Sequence, residues 1–359
     1  MWPAIRARLL VWALLAATSA FAWQSLRAVP SLAAPPESEA TLNTLRYSAP
    51  PPRSQAQETR PQTVISSESS LVNLDVLVTD EDGKVLGGLK QENFRVLDNG
   101  KPQQITNFEK ADDPITVVLV LEYSGAAYNY YAYKGADWST RFLDQLEPKD
   151  WFALVRFDLK PTIAVDFTHS KVEVRDALQR LSFPDFNEIN LYDAIFDTLD
   201  RLDPIKGKKA VLLVASGANT FSSHSLDETY RRIKESDAMI FCVGTAEQEF
   251  QRYGSSITYL QAKNELSTFA KLTGGHSWFP RFEGELRDIF ESVTIFLRNQ
   301  YRIGFSPGDL PHDGKYHKLK VQIVTADGKP LVVTNPQGKK RKVEVFAREG
   351  YVDLKKPRR

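Results

Sequence analysis

Residues 115–122 read Ile-Thr-Val-Val-Leu-Val-Leu-Glu, and this stretch decides the architecture. Its apolar residues are consecutive rather than alternating, so an extended chain here would be oily on both faces. Such a strand needs cover above and below, as parallel strands between helical layers have. Further apolar runs follow at Trp151–Phe157, Lys209–Ala215, Ala238–Gly244 and His276–Phe279, separated by stretches of helical character. Ser225-Leu226-Asp227-Glu228 has the form of a capping box, and Leu286, Ile289, Phe290, Val293 and Leu297 lie on one helical stripe. Strand and helix in alternation predict a doubly wound, mostly parallel α/β domain over residues 113–305.

Outward from this domain the hydrophobic period changes to two. Val72, Leu74, Val76 and Val78 alternate with polar residues, and Asp82-Gly83 and Asn99-Gly100 supply hairpin turns. Beyond Ser306-Pro307-Gly308 the same period returns at Leu319, Val321 and Ile323, then Leu331 and Val333 across the turn Ala326-Asp327-Gly328-Lys329. Short strand groups are marginal alone, so segments 63–112 and 306–352 are expected to pack as one antiparallel β domain into which the α/β domain is inserted.

The N-terminus carries Arg6 and Arg8, an apolar run and Ala20-Phe21-Ala22, the pattern of a secretory signal over residues 1–22, cleaved after Ala22. An uncleaved membrane anchor is the alternative. Either way the protein is exported, periplasmic or secreted. Residues 23–62, rich in Pro, Ala and Ser, read as a disordered spacer, and 353–359 as a basic tail.

The 359 residues suffice for about two domains with full cores. With 46 Lys and Arg against 45 Asp and Glu there is no global field to collect nucleic acid, and no such partner is expected. Cys242 is the sole cysteine, so no internal disulfide forms, and its apolar surroundings suggest a buried small hydrophobe. Neither a Gly-x-Ser-x-Gly elbow nor a His-Glu-x-x-His helix nor a Gly-x-x-x-x-Gly-Lys phosphate loop occurs, and Gly207-Lys208-Lys209 reads as a turn feeding a strand. His312 and His317 read as exposed turn residues. An enzyme is therefore not expected; a cleft holding a carboxylate within reach of a histidine would argue otherwise. The basic run Lys339-Lys340-Arg341-Lys342 and the tail Lys355-Lys356 with Arg358-Arg359 are either solvated surface or weak contacts to an anionic envelope.

In an open α/β sheet a ligand sits beyond the carboxyl ends of the strands, which places Glu122-Tyr123-Ser124-Gly125-Ala126 at the candidate site. This acid-x-Ser after an apolar strand, with LYDAI at Leu191–Ile195 and KAVLLVASG at Lys209–Gly217, resembles a von Willebrand factor type A domain. The flanks LDVLVTDEDGKVLGGLKQENFRVLDNGKPQQITNFEK, QYRIGFSP and FAREGY resemble exported bacterial proteins called VWFA-related, of the acidobacterial type. The resemblance runs from Val64 to Tyr351. It implies a Rossmann-like fold and an adhesion site in which Mg²⁺ is held by Asp-x-Ser-x-Ser, a Thr and a later Asp. Those positions fall on Glu122, Ser124, Ala126, Ile189 and Ser216, of which only Ser124 is unchanged. Mg²⁺ wants about six oxygens in near-octahedral geometry. Ala126 and Ile189 have no side-chain oxygen, and Ser216 supplies a dipole in place of a charge.

The expectation is thus a degenerate site with no resident cofactor, unless Asp185, Glu188, Asn190 or Asn219 restores magnesium binding. Glu122 and Ser124 would then cap a helix or bond loop amides. The following stretch crowds Tyr123, Tyr128, Tyr130, Tyr131, Tyr133 and Trp138 together. Two readings stand for it: aromatic contact surface for a protein or glycan, or packing over the helix tops. The overall reading is a non-catalytic, exported adhesion-type protein.

Overall fold

The computed structural model describes residues 71–110, 113–125, 141–181, 184, 186–246, 257–282, 284–307, 314–334 and 338–352. The leader, the spacer and the basic tail lie outside them. The strands are β1 (Val72–Asp80), β2 (Phe94–Asp98), β3 (Lys101–Gln103), β4 (Ile105–Lys110), β5 (Ile115–Glu122), β6 (Trp151–Phe157), β7 (Pro161–Thr168), β8 (Lys208–Ala215), β9 (Met239–Gly244), β10 (Ser277–Trp278), β11 (Tyr301–Phe305), β12 (Tyr316–Ile323), β13 (Val332–Thr334), β14 (Lys340–Phe346) and β15 (Gly350–Val352). The helices are α1 (Lys171–Gln179), α2 (Leu191–Leu202), α3 (Leu226–Glu235), α4 (Ile257–Thr273) and α5 (Gly284–Arg298).

β5 is buried at every position and sits inside a six-stranded sheet of order β10-β9-β8-β5-β6-β7. Ile115, Val117, Leu119 and Leu121 pack on one side against Phe142, Leu143, α1 and α5, while Val118 and Val120 pack on the other against α2, α3 and α4. Consecutive apolar residues are therefore needed, because each face has its own helical cover. The pairs of β5 with β6 and β8, and of β9 with β8 and β10, are parallel. β7 runs antiparallel to β6 at one edge. It was not anticipated: its turn Asp158-Leu159-Lys160 lacks glycine, and its outward positions are exposed.

Helix ends follow local chemistry. Ser225 Oγ accepts the Glu228 amide at 3.3 Å, and the Glu228 carboxylate accepts the Ser225 amide at 2.8 Å, so the capping box at the start of α3 closes both ways. The stripe Leu286, Ile289, Phe290, Val293 and Leu297 of α5 is buried.

The remaining strands form antiparallel sheets of order β13-β14-β1-β11-β4 and β15-β12-β2-β3. β1 pairs with β11 and β14, and β2 pairs with β12, so N-terminal and C-terminal strands share both sheets. Leu74, Val76, Phe94, Val96, Ile303, Phe305 and Leu319 fill the space between them. By pairing, Tyr301–Phe305, the last residues of the expected α/β segment, belong to the antiparallel sheet. Asn99 and Gly100, with φ of 48° and 81°, make the β2–β3 hairpin, whose two left-handed residues match the strand twist. β1 departs from one-sided burial at Leu77, which joins the α/β core and is fully covered.

The Ala347–Gly350 segment joins the two parts. The Arg348 guanidinium donates to the carbonyls of Lys234 (3.3 Å), Ser236 (3.1 Å) and Gly350 (2.6 Å), closing the C-terminal end of α3. The Glu349 amide donates to Leu272 O at 3.1 Å in the last turn of α4. Gly274, with φ of 80°, ends that helix where an added Cβ would lie 2.5 Å from the Ala347 carbonyl carbon.

At the start of β8 Lys208 is only 4% exposed, and its ammonium donates to Leu297 O. Burial lowers its pKa from 10.5 to about 8, with Asp75 opposing and Arg302 adding to the shift. Between these two pKa values the unfolded chain binds the extra proton, so stability rises as pH goes from about 8 towards 10.5. Lys208→Met should accordingly gain about 2 kcal/mol at pH 7 and lose that advantage by pH 10.5, as read from urea unfolding at both pH values. An equal advantage at both would contradict this account.

Candidate functional site

The sheet reverses its winding between β5 and β8, so the carboxyl ends of these strands flank the crevice where such folds take ligands. Glu122 ends β5 and Ser216 follows β8. The Glu122 side chain is fully buried and reaches across the crevice: one carboxylate oxygen accepts the Ser216 amide at 2.6 Å and hydroxyl at 2.8 Å. The other accepts the Ser124 hydroxyl at 3.1 Å. Three of the five predicted positions therefore meet in one hydrogen-bonded unit. The Ser216 hydroxyl in turn accepts the Ala218 amide at 3.2 Å, which shapes the loop after β8.

Ile189 is not part of that unit. Its side chain is buried with the α2 core, while its amide donates to Thr220 Oγ1 at 2.8 Å and its carbonyl accepts the amides of Thr220 and Phe221. Asn190 is the N-cap of α2: its Oδ1 accepts the Asp193 amide at 3.3 Å and the Ser222 hydroxyl at 2.7 Å. Asn219 Oδ1 accepts the Leu191 amide at 3.0 Å and the same Ser222 hydroxyl at 2.5 Å. Both asparagine oxygens thus hold loops together, and Glu188 is exposed. Ala126 and Asp185 lie outside the described residues.

A second cluster stands beside this one. Asp193 accepts the amides of Ser223 and His224 and the His224 ring at 2.7 Å. Burial works against its charged form, but the two amides, Asn190 and the His224 ring outweigh it and take the pKa down to about 2. His224 stacks on Phe196 with ring centres 3.7 Å apart. Thr220, Ser222 and His224 carry no local sequence signal, and the role of Asp193 is likewise not local, because these contacts join loops about thirty residues apart in sequence.

Tyr123, expected in the aromatic contact surface, is instead buried in the α/β core, with its amide donating to Phe157 O, and offers no contact surface. Tyr128, Tyr130, Tyr131, Tyr133 and Trp138 lie outside the described residues. Exposed apolar side chains do occur on loops and a helix start at this end of the sheet: Phe186, Phe221 (62% exposed), Ile257 (77%), Leu260 and Phe282. Cys242 is fully buried in β9, and burial raises its thiol pKa.

Among the described residues two carboxylate–histidine pairs are present, Asp193 with His224 and Asp98 with His317. His317 is not the exposed turn residue expected. It is buried on β12, with Nδ1 3.1 Å from Asp98, whose carboxylate also accepts the Tyr351 hydroxyl at 2.8 Å. His312 lies outside the described residues. A cleft of about 350 Å³ beside β7, lined by Val155, Pro161, Thr162, Ile163, Asp197, Thr198, Asp200 and Arg201, holds neither histidine.

Among the described residues no three His, Cys, Asp or Glu side chains are grouped so as to hold a metal ion, and no helix is long and apolar enough to cross a membrane. No protein-family model and no curated protein sequence matches the chain. Solved structures similar to it include proximal thread matrix protein 1 from the mussel byssus, in one form with a zinc-occupied MIDAS motif (13% identity, 52% of this chain and 49% of that one, TM-score 0.42). The von Willebrand factor domain of the type V pili tip protein Mfa5 from Porphyromonas gingivalis is similar at 12% identity, over 52% of this chain and 97% of that one, with TM-score 0.39. A von Willebrand factor type A protein from Catenulispora acidiphila is similar at 11% identity, over 80% and 75%, with TM-score 0.41. The chain spans about half the length of the mussel protein. The six-stranded sheet, with its antiparallel edge strand and its reversal between β5 and β8, is a doubly wound, mostly parallel α/β unit.

Proposed function

We propose that the protein is an exported, non-catalytic adhesion-type module that contacts a protein or glycan through the loop end of its type A-like domain, without a divalent ion at the centre. The observation that carries this reading is the Glu122 carboxylate lying across the switch point on Ser124 and Ser216. A hard cation there would want about six oxygens. Ala126 and Ile189 have no side-chain oxygen, Asn190 and Asn219 are committed to loop hydrogen bonds, and Glu122 is the one carboxylate among the five motif positions to balance two positive charges. On this reading these five positions do not fit Mg²⁺. Exposed Phe186, Phe221, Ile257, Leu260 and Phe282 supply apolar area of the sort interfaces use.

Covalent chemistry is not part of the reading. The Asp98 and His317 pair is buried, and the Ser222 hydroxyl is directed to Asn190 and Asn219 instead of His224. The β strands on either side of the type A-like domain are read as one β unit interrupted by it, which the pairs β1–β11, β1–β14 and β2–β12 support. Loss of amide protection from 72–110 and 316–352 at a single denaturant concentration would check this.

Calorimetric titration with Mg²⁺ and Mn²⁺ tests the central claim. No heat of binding is expected at millimolar metal, and saturable binding abolished by Glu122→Gln would sink it. In the same protein Tyr128→Ser, Tyr130→Ser and Tyr131→Ser together should remove capture of envelope material without lowering the melting temperature.

A further inference from the structure

Several arginines among the described residues are paired: Arg175, Arg201, Arg232, Arg298, Arg302 and Arg341 each face a carboxylate. One face is different. β12 pairs with β2 so that Lys320 lies opposite Leu97 and Gln322 opposite Arg95. His317, Leu319 and Ile323 turn inward, which puts Tyr316, Lys318, Lys320 and Gln322 on the outer side with Arg95 and Leu97. Lys318, Lys320 and Arg95 are exposed, and Lys234 from α3 sits 5.2 Å over the Tyr316 ring. Among the described residues none of these four cations has an ion pair, and the outward positions of β2 and β12 carry no acid.

The nearby acids have partners of their own. Glu349, which acts on Tyr316, pairs with Lys271 at 3.1 Å, Asp237 with Lys209 at 2.5 Å, and Asp327, beside Gly328 under Arg95, with Lys329 at 2.9 Å. Successive same-face residues along a strand are about 6.8 Å apart and diagonal cross-strand neighbours about 7–8 Å. Lys318 and Lys320 therefore lie in line on β12, with Arg95 diagonal to Lys320 on β2 and Lys234 over Tyr316 beyond Lys318, a row of four unneutralised charges across the sheet face. β15 edges the same sheet and is followed in the sequence by Asp-Leu-Lys-Lys-Pro-Arg-Arg.

We propose that this sheet face docks an acidic polysaccharide, a linear polymer with carboxylates at regular intervals, independently of the loop end of the type A-like domain. Charge complementarity selects an anion, and the spread of the four cations over successive positions selects a polymer over a small ion. Single-stranded nucleic acid needs aromatic faces on which bases stack, and the one outward aromatic, Tyr316, is covered by Lys234. An anionic membrane is gripped best where apolar side chains accompany the cations, and the large exposed apolar residues of the described chain lie elsewhere.

The test uses the full chain with polygalacturonate as probe, beside vesicles containing phosphatidylglycerol and beside poly(dT). Polygalacturonate should bind at low salt and be released as ionic strength rises to about 0.3 M. Lys318→Glu, Lys320→Glu and Arg95→Glu together should weaken binding about tenfold or more, Lys318→Arg with Lys320→Arg should retain it, and Lys339→Glu with Lys340→Glu should leave it unchanged. If the reversal variant melts early, the corresponding triple Gln variant replaces it, with a loss of about threefold or more expected. Absence of binding by the parent chain, binding indifferent to these substitutions, or stronger binding to vesicles or poly(dT) would overturn the proposal. Tyr128→Ser, Tyr130→Ser and Tyr131→Ser should not affect polygalacturonate binding, which separates a failure here from a failure of the loop-end reading.

Discussion

Glu122→Ala should destabilise the protein by about 4 kcal/mol, the largest loss expected from a single side chain at the candidate site. The substitution leaves the Ser216 amide and the Ser124 and Ser216 hydroxyls facing a buried void where a charged acceptor stood. It also severs the tie between the ends of β5 and β8, whose loops depend on one another through this carboxylate. Glu122→Gln keeps the volume but turns a donor towards donors, and should lose about 2 kcal/mol. Urea unfolding in chelator and in magnesium decides the matter. A carboxylate serving as a metal ligand would be released from strain when mutated in chelator and would show its loss only with metal present. That pattern would contradict the structural role assigned to Glu122.

Arg348→Ala should lose about 3 kcal/mol and do so across the junction between the α/β unit and the antiparallel strands. Its guanidinium serves three carbonyls, two of them at the end of α3, where a cation also meets the negative end of the helix. Without it those carbonyls face each other with no donor. Amide exchange should accelerate at the C-terminal turns of α3 and α4 before it does so in β5 or β8. Arg348→Lys should recover less than half of the loss, because a single ammonium cannot span the three acceptors. Uniform acceleration throughout the chain, or none, would show that Arg348 is not the coupling between the two parts.

Much of the fold was legible because it follows from local rules. A strand with two covered faces must be apolar at consecutive positions, and β5 could be recognised from that alone. Asn99-Gly100 and Ser225-x-x-Glu228 declared a hairpin and a helix start through backbone chemistry within four residues. β7 escaped because an edge strand with one open side has no consistent pattern and its turn has no glycine. His317 was misplaced for a different reason: its partner, Asp98, lies more than two hundred residues away in sequence, and nothing local distinguishes a buried histidine from an exposed one.

The candidate site divides along the same line. Residue types alone showed that Ala126 and Ile189 lack oxygen and that Ser216 lacks charge, since those are properties of single side chains. That Glu122 would lie across the crevice on Ser216, that Tyr123 would sink into the core, and that Asn190 and Asn219 would be committed to the same serine required the fold, because each depends on a neighbour brought close only by sheet order. The amino-acid order by itself determined the strand-and-helix alternation, the turns and the chemical poverty of the site. Tertiary structure decided which carboxylate found which donor and which face of β12 was left uncompensated, because hydrogen bonds and charge pairing are set by distance in space.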